Sequence, residues 1–473
     1  MLETFRSIGY SLDVAVADIV DNSITAGAAN VWINFTWDGA DSWATITDDG
    51  RGMDGASLIE ALRPGSRHPL DERDPKDLGR FGLGLKTASF SQCRRLTVIS
   101  RQAAYAPVHW SWDFDYVSQS GRWDLIQMPL TTALTAQAQA LDHGTIVVWQ
   151  QLDRLVAGTH ADNQKDHSHF LDACATVKHH LAMVFHRFIE KRRIKLFFNN
   201  HEIPAWDPFL KGAGGAQVFE EERHQNGQIA VKGYVLPHKS RFESTEDYNA
   251  AQGPRGWNEQ QGFYIYRNER MLVSGSWLGL FRKEEHSKLA RIMVDIPNHL
   301  DAEWKIDIKK SIARPPAASL SQLKSFARRV RTEAVEVYRH KGKVINHTPG
   351  VNFQEVWQER YYHDKRHFQI NRSHVLIQDF MERYPDGKQA LNTLLKFVEE
   401  TIPVSLIMIR ESESPEHQAQ PFEGVSNDPV IQTMKVMFAS LRSRGHSAEE
   451  ARSIISNIQP FNQFPQYLAS LED

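Results

Sequence analysis

Three glycines within six residues constrain this chain more than any other feature of its sequence. Gly79, Gly82 and Gly84 stand in the segment DLGRFGLGLKTASFS, residues 77–91. Glycine adopts backbone conformations closed to other residues and lets a chain approach a ligand closely. Where such a loop leads into a helix, its backbone N–H groups can bind a phosphate. The segment predicts either a phosphate-binding loop or a flexible turn before a helix.

Two common phosphate-binding motifs fit this segment poorly. A dinucleotide-binding turn needs a strand immediately before its first glycine, whereas the RDPKD that precedes Leu78 and Gly79 is typical of a loop. The pattern G-x-x-x-x-G-K-[ST] is one residue shorter than the observed spacing. The additional Leu85 turns Lys86 by roughly 100° around the following helix, away from a phosphate cradle. The kind of loop therefore has to be judged from the rest of the chain.

Composition excludes several classes of protein. The 473 residues are 41% hydrophobic and 24% charged, which is typical of a soluble protein of two or three domains. A net charge of −3 argues against a global basic field, although local basic patches remain open. Cys93 and Cys174 are too few for a disulfide scaffold or a four-thiolate metal site. No apolar run is long enough for a membrane helix and no export signal is evident, so we expect no membrane association and a cytoplasmic location.

A polar pair is predicted on an otherwise apolar helix. The segment SLDVAVADIVDNSITA, residues 11–26, predicts a helix with Ser11 at its N-cap and Gly27 as its stop. Asp18 and Asn22 are four residues apart and so project from one face. Burying a carboxylate and an amide is costly without partners, which favours a functional pair over a solvated polar face.

A second polar position is predicted where a strand ends. The strand-like WATITDD ends in Asp48 and Asp49, and Gly50 and Gly52 follow. A carboxylate there can accept a hydrogen bond from a ligand amine while the glycines let the backbone pack close. A plain hairpin turn is the alternative. The step from Gly144 to Thr145 into another strand says little in isolation.

The pattern along the chain predicts an α+β fold in three parts. Helices and strands alternate to about residue 190, and strands such as 262–273 and 289–297 dominate from about residue 192. A helix at 318–341 leads outward from them, and short helices with few strands follow. We therefore predict domains at 1–190, 191–345 and 346–473, the last mainly helical and of unknown role.

Taken together and in this order, the motifs resemble the ATP site of the Bergerat fold. That fold, an α/β sandwich, defines the GHKL ATPases: DNA gyrase B, Hsp90, histidine kinases and MutL, with the MORC ATPases as relatives. The resemblance covers residues 8–155, and IVDNSITAGA, DDGRGM and GRFGLGLKTASFS are most similar to the MORC motifs. GFYIYRNERMLV and IPNHLDAEWKIDIKKSIARPP resemble the ribosomal-S5-like transducer domain of gyrase, MutL, Hsp90 and MORC, which histidine kinases lack.

The resemblance implies ATP and Mg²⁺ as cofactors and gives individual residues roles. Asn22 matches the asparagine that coordinates Mg²⁺, and Asp18 matches the base that polarises the attacking water, usually a glutamate. Asp48 matches the aspartate that binds the adenine amino group, and Thr145 the threonine behind the base. The other implied contacts line the adenine pocket or belong to the ATP lid: Gly50, Gly52, Met53, Gly79, Arg80, Phe81, Gly82, Leu83, Gly84, Lys86 and Thr87. Lys86 has an equally good interpretation as a solvated lysine.

A transducer lysine that reaches the γ-phosphate is also implied. The candidates are Lys305, Lys309 and Lys310, of which Lys309 fits best and Lys305 is the second choice. For each of them a basic surface strand is the alternative.

The resemblance implies a Mg²⁺-dependent ATPase whose nucleotide gates lid closure and formation of a homodimer. Only seventeen residues precede Asp18, so we do not expect an extensive exchange of N-terminal arms. The MORC-like motifs imply a DNA target, in DNA processing or in bacterial antiviral defence beside a nuclease or other defence protein. Basic clusters at 191–193, 328–331 and 365–367 are candidates for DNA contact, with solvated helix faces as the alternative.

Two other functions stay open at this point. One is an Hsp90-like ATP-dependent protein chaperone. The other is a scaffold that binds ATP but hydrolyses it very slowly, because Asp18 is one methylene shorter than glutamate.

Overall fold

The computed structural model divides the chain into two compact units, Met1–Lys343 and Val344–Asp473, which are described separately. It describes residues 6, 9–63, 84–156, 160–211, 216–225, 227–306, 313–339, 356–362, 365–407, 427–456, 458, 461 and 464–471.

Seven strands form the first sheet of the larger unit. In chain order they are β1 (Asn30–Thr36), β2 (Trp43–Asp48), β3 (Arg95–Arg101), β4 (Val108–Asp113), β5 (Gly144–Gln150), β6 (Lys195–Phe198) and β7 (His201–Glu202). Their order across the sheet is β4-β3-β5-β2-β1-β6-β7. β1 and β6 run parallel and the other neighbours antiparallel, so the sheet is mixed.

Helices accompany this sheet in the same unit. They are α1 (Leu12–Thr25), α2 (Gly55–Leu62), α3 (Gly84–Phe90), α4 (Phe114–Ser120), α5 (Thr132–Ala140), α6 (Gln164–Val184) and α7 (His186–Glu190). α1 packs against α6 and α3, and its apolar residues such as Val16 and Val20 are buried in one core with Val31 and Ile33 of β1. The chain leaves α1 at Gly27, whose φ is +77°, as the sequence predicted. Helices α2, α4 and α5 were not predicted.

The predicted boundary at residues 190 and 191 falls before the first sheet is complete. Leu196 and Phe198 of β6 are buried in the same core as α1, together with the flanking Ile194 and Ile203. Residues 195–202 therefore belong with the first sheet, because their apolar side chains fill its core.

Six strands form the second sheet of the larger unit. They are β8 (Gln217–Val218), β9 (Glu222–His224), β10 (Ile229–Val235), β11 (Gly262–Arg267), β12 (Arg270–Ser276) and β13 (Ala290–Ile296). The order is β12-β11-β13-β10-β8, and β9 also pairs with β10. The same part of the chain contains the helices α8 (Thr245–Ala251), α9 (Gly256–Glu259) and α10 (Ala317–Arg339).

Two sequence predictions for this region are corrected. The single strand expected over residues 262–273 is a hairpin, because Asn268 and Glu269 adopt φ of +48° and +68° and turn the chain between β11 and β12. The helix expected to lead outward is α10, which instead packs on the sheet. Helix α10 approaches strand β10 so closely at Gly233 that a Cβ on this residue would lie 2.6 Å from Val330 Cγ2.

The smaller unit combines one hairpin with helices. Its elements are β14 (Trp357–Tyr362), β15 (Lys365–Ile370), α11 (Val375–Arg383), α12 (Lys388–Thr401), α13 (Asn427–Ser443) and α14 (Ala448–Ser456). Met434, Phe438 and Ile455 belong to its core. A reciprocal cap begins α14, since Ser447 Oγ accepts from Glu450 N and the Glu450 carboxylate accepts from Ser447 N. Mixed sheets combined with helices confirm the predicted α+β class.

Candidate functional site

Asp48 occupies the end of β2 as a buried, hydrogen-bonded carboxylate. Ser23 Oγ donates to Asp48 Oδ2 at 2.9 Å, and Gly50 N donates to Oδ1 at 2.9 Å. Burial raises the pKa of the Asp48 carboxyl, and these two hydrogen bonds oppose that shift. A carboxylate has about four acceptor positions, so acceptor capacity is left for a ligand donor.

Thr145 lies directly opposite Asp48, on β5. The two residues are register partners in the antiparallel pairing of β2 and β5. Thr145 Oγ1 lies 2.9 Å from Ser100 Oγ, and Ser100 Oγ also accepts from Met53 N at 2.9 Å. Thr145, Met53 and Asp48 are thereby brought to one end of the first sheet.

Gly50 and Gly52, in the turn after β2, lie so close to neighbouring atoms that a larger residue would clash with them. Gly52 has a φ of +67°, and a Cβ there would lie 1.9 Å from Arg101 O. At Gly50 a Cβ would lie 2.8 Å from Ala26 Cβ, at the end of α1. His143 Nδ1 contacts Gly50 O at 2.8 Å, which ties the same turn to the start of β5. The turn after Asp48 is therefore fixed in place.

Asp18 is buried on α1 beneath the beginning of α3. Tyr10 Oη donates to Asp18 Oδ2 at 2.9 Å. A Cβ on Gly84, the first residue of α3, would lie 3.8 Å from the same oxygen. Asn22, one turn further along α1, is exposed. The base candidate and the metal-ligand candidate are thus on the same helix, one buried and one open to solvent.

Asp21 forms a buried ion pair that the sequence did not predict. Arg270 Nε lies 3.2 Å and 3.1 Å from the two carboxylate oxygens of Asp21. Arg270 Nη2 lies 3.9 Å from Asp18 Oδ1. An arginine of the second sheet thus reaches the helix that carries Asp18 and Asn22.

Lys86 is neither solvated nor directed outward. It is 1% exposed, and its Nζ donates to Ala61 O at 3.1 Å and Arg63 O at 2.6 Å, at the end of α2. The alternative interpretation of Lys86 as a solvated lysine is therefore wrong, since the side chain binds the last carbonyls of a helix. Thr87 beside it is fully buried.

The remaining predicted residues are only partly covered by the structure. Lys305 is exposed and has a φ of +46°. Outside the described residues lie Gly79, Arg80, Phe81, Gly82, Leu83, Lys309 and Lys310.

Four polar residues of the site were missed by sequence reasoning: Tyr10, Ser23, Ser100 and Arg270. Ser23 follows Asn22 directly, so its proximity to a candidate ligand was visible in the sequence. The other three contact residues 8, 45 and 249 positions away. No local pattern signals such pairings.

The residues present fit the implied cofactors. The buried acceptor Asp48 suits a hydrogen-bond donor such as the adenine amino group. Asn22 is exposed, and an amide oxygen suits Mg²⁺, which takes few protein ligands and keeps waters and phosphate oxygens.

Two of the three basic clusters form ion pairs within the larger unit. Lys191 and Arg193 both pair with Glu269. Arg331 pairs with Glu284 at 2.6 Å, and Arg329 pairs with Glu222. Among the described residues, no helix combines the length and apolarity needed to cross a membrane.

Comparison with known families covers the site. Residues 10–145 match the family model described as "Histidine kinase-, DNA gyrase B-, and HSP90-like ATPase". That range contains Asp18, Asn22, Asp48, the lid segment and Thr145. The predicted membership of the GHKL superfamily is confirmed for this region, whereas the closer likeness to MORC ATPases stays a prediction.

Two relatives called MutL match this chain over a shorter stretch than the family model does. The DNA mismatch repair protein MutL of Rhodospirillum rubrum is 37% identical over 90 residues, and that of Allorhizobium ampelinum is 38% identical over 91 residues. Each alignment covers 19% of this chain and 14% of the relative.

A solved structure was also found to be similar, that of the ATPase and transducer domains of DNA topoisomerase II from Balamuthia mandrillaris. The alignment covers 70% of this chain and 85% of the topoisomerase chain, at 11% identity and a TM-score of 0.37.

Proposed function

We propose that this chain, whose residues 10–145 belong to the GHKL superfamily of ATPases, binds ATP with Mg²⁺ and hydrolyses it. The observation that carries the proposal is the buried Asp48 carboxylate at the end of β2. Its oxygens are held by Ser23 and Gly50 and it faces Thr145 across the strands.

The base-binding part of the site would recognise adenine by one hydrogen bond and close packing. The adenine amino group would donate to Asp48, and Gly50, Gly52 and Met53 would line the pocket. A hydrogen bond to a charged group contributes about 1.5–3 kcal/mol, so Asp48 would account for a large part of the affinity.

The hydrolytic part would use Asp18 and Asn22. A water oxygen would attack the γ-phosphorus as the bond to the β,γ-bridging oxygen breaks, giving ADP and phosphate, and Asp18 would take the water proton. Mg²⁺, held by Asn22 and the phosphates, would neutralise phosphate charge. Tyr10 would fix the Asp18 carboxylate in orientation by its hydrogen bond.

Two single substitutions test binding and turnover separately. Asp48→Asn should weaken ATP binding by roughly 10- to 100-fold, because its amide N–H faces the adenine donor. Asp18→Asn should keep ATP affinity while turnover falls about 10²- to 10⁴-fold. Calorimetry measures the first effect and phosphate release the second.

The control for binding is Asp49→Asn. Asp49 accepts hydrogen bonds from Ala29 N and Asn30 N and has no assigned contact with nucleotide. ATP affinity unchanged in Asp48→Asn would overturn the adenine assignment, and wild-type turnover in Asp18→Asn would remove Asp18 as the base.

We further propose that ATP closes the glycine lid and drives formation of a homodimer. Gly84, at the end of the lid segment, lies close to Asp18, so a closed lid would lie over the γ-phosphate. Light scattering with a non-hydrolysable ATP analogue should show a mass twice that of the nucleotide-free chain, and a monomer in both samples contradicts this.

DNA is the proposed target of the ATPase cycle. Support comes from the names of two similar proteins, both called DNA mismatch repair proteins. Two basic clusters are already paired with glutamates, so strong binding by those clusters alone is not expected. A mobility-shift series in salt, with and without the ATP analogue, should show nucleotide-dependent DNA binding that weakens as salt rises.

The defence role and its nuclease partner stay predictions that gene neighbourhood would test. A client-protein chaperone would instead prevent aggregation of an unfolded protein in an ATP-dependent manner. If the wild-type protein hydrolyses ATP no faster than the Asp18→Asn variant, the result would favour a scaffold that binds ATP but hydrolyses it very slowly.

A further inference from the structure

The hairpin of β11 and β12 carries an arginine from the second sheet to the predicted catalytic helix. Arg270 is 3% exposed, and its Nε lies 3.1–3.2 Å from both carboxylate oxygens of Asp21. The two residues are 249 positions apart in the chain. This contact therefore joins the two sheets through the helix that holds Asp18.

Several contacts fix the guanidinium group in place. Arg270 Nη1 donates to Met271 O at 2.8 Å, and its Cζ lies 5.9 Å from the centre of the Phe185 ring. The remaining nitrogen, Nη2, is then 3.9 Å from Asp18 Oδ1. Two buried carboxylates less than one helical turn apart repel each other, and the arginine charge between them offsets that repulsion.

Arg267, on the other side of the turn between β11 and β12, contacts a residue that follows β13 in the chain. Arg267 Nε donates to Asp301 Oδ1 at 2.9 Å, and both side chains are buried. Asp301 is four residues before Lys305, at the start of the segment that carries the candidate transducer lysines. The hairpin thus connects α1 on one side to Asp301, four residues before Lys305, on the other.

We propose that Arg270 is a positioning residue that holds the Asp18 turn of α1 in its reactive place and couples ATP hydrolysis to the arrangement of the second sheet. This rests on the proposed ATPase function. Arg270 acts through Asp21 and the helix backbone, and it is not assigned a contact with ATP.

The first test separates turnover from binding. Arg270→Met should lower kcat by about 10- to 100-fold, since a shift of about 1 Å at a catalytic group has that effect, while KM for ATP stays within a few-fold. Arg270→Lys should recover much of kcat, because the contact to Asp21 uses Nε and an ammonium can reach the same two oxygens.

Glu269→Gln is the matched control. It changes the neighbouring residue of the same turn and removes that residue's ion pairs to Lys191 and Arg193, but it leaves Arg270 untouched. Its kcat should stay near that of the wild type. An equal loss of kcat in Glu269→Gln and Arg270→Met would overturn the proposal, because any weakening of the hairpin would then suffice.

A double substitution guards against simple unfolding. Arg270→Met removes the arginine charge beside the buried carboxylate of Asp21, whereas Arg270→Met combined with Asp21→Asn removes both charges and should restore thermal stability. If Arg270 positions the helix, kcat stays low in this stable double variant. Recovery of kcat together with stability would overturn the proposal.

Hydrogen exchange of the nucleotide-free protein gives a readout independent of activity. Amides of α1 should exchange faster in Arg270→Met than in Glu269→Gln, and equal protection would overturn the proposal. A wild-type protein that neither binds nor hydrolyses ATP would instead overturn the proposed function, whatever the exchange result.

Discussion

At the scale of single residues, His180 of α6 ties stability to pH. Burial lowers the pKa of His180 to about 4, and the nearby Asp13 opposes that shift. His180 Nδ1 lies 3.3 Å from Asp13 Oδ2. The folded protein therefore keeps this imidazole neutral over a pH range in which the unfolded chain protonates it.

The sign of the pH dependence follows from that difference. Between pH 6.5 and about 4 the unfolded state binds more protons at this position, so the free energy of unfolding falls as the pH is lowered. The loss should be on the order of 2–3 kcal/mol. Urea unfolding at several pH values gives the free energy of unfolding as a function of pH. This free energy should change less with pH in His180→Gln than in the wild type. In His179→Gln, which changes the exposed neighbour, it should change with pH as in the wild type. An equal change with pH in all three proteins would contradict the assignment.

Single residues were predictable from sequence where a local pattern placed them. The position of Asp48 was predictable because the strand-like pattern of β2 stops there, whereas Thr145 was singled out only through the resemblance to the Bergerat-fold motifs. Arg270 could not be predicted, since its partner Asp21 is brought to it only by the packing of the two sheets. The solvated interpretation of Lys86 was wrong because helical position alone does not reveal that the end of α2 lies beside its ammonium group.

At the scale of elements, the turn after β2 depends on Gly52. Gly52→Ala would place a Cβ 1.9 Å from Arg101 O in a left-handed backbone conformation. The backbone strain alone should lower the free energy of unfolding by about 1–3 kcal/mol, and the steric clash adds to that loss. Nucleotide binding should also weaken, because the contact between Met53 and Ser100 moves with the turn. Thermal unfolding and ATP titration measure the two effects.

Gly55→Ala is the matched control three residues later. Gly55 begins α2, and a Cβ there meets nothing within 4 Å. This change should be neutral or stabilise the protein by up to about 1 kcal/mol. If both alanines had the same effect, the close approach at Gly52 would not matter.

Strands were easier to predict than helices. β1 and β2 alternate along short runs bounded by turn residues, which is a strong local signal. α4 was hidden because its first residue, Phe114, continues the aromatic pattern of β4. The hairpin at Asn268 and Glu269 was missed because it lacks the glycine that usually marks such a turn.

At the scale of the whole molecule, the chain should not fold when cut at the predicted first boundary. A protein of residues 1–190 lacks Ile194, Leu196, Phe198 and Ile203, all buried in the first core. Losing a large buried side chain costs about 2–5 kcal/mol, so four together exceed the usual stability of a domain. We expect no cooperative thermal transition for 1–190 and a cooperative one for 1–211. A cooperative transition in both would show that β6 is dispensable.

The α+β class was predictable because helical and alternating patterns are both plain in the sequence. The boundary was not, since a short strand such as β6 carries no mark of the sheet it joins. Only packing decides that β6 lies beside β1.

The parallel pairing of β1 with β6 also sets the order of events as the chain is made. β1 leaves the ribosome more than 160 residues before its parallel neighbour, so that side of the strand stays unpaired while the intervening helices and strands are synthesised. An exposed strand edge is prone to pair with another chain. Translation speed between β5 and β6 should therefore influence the yield of native protein.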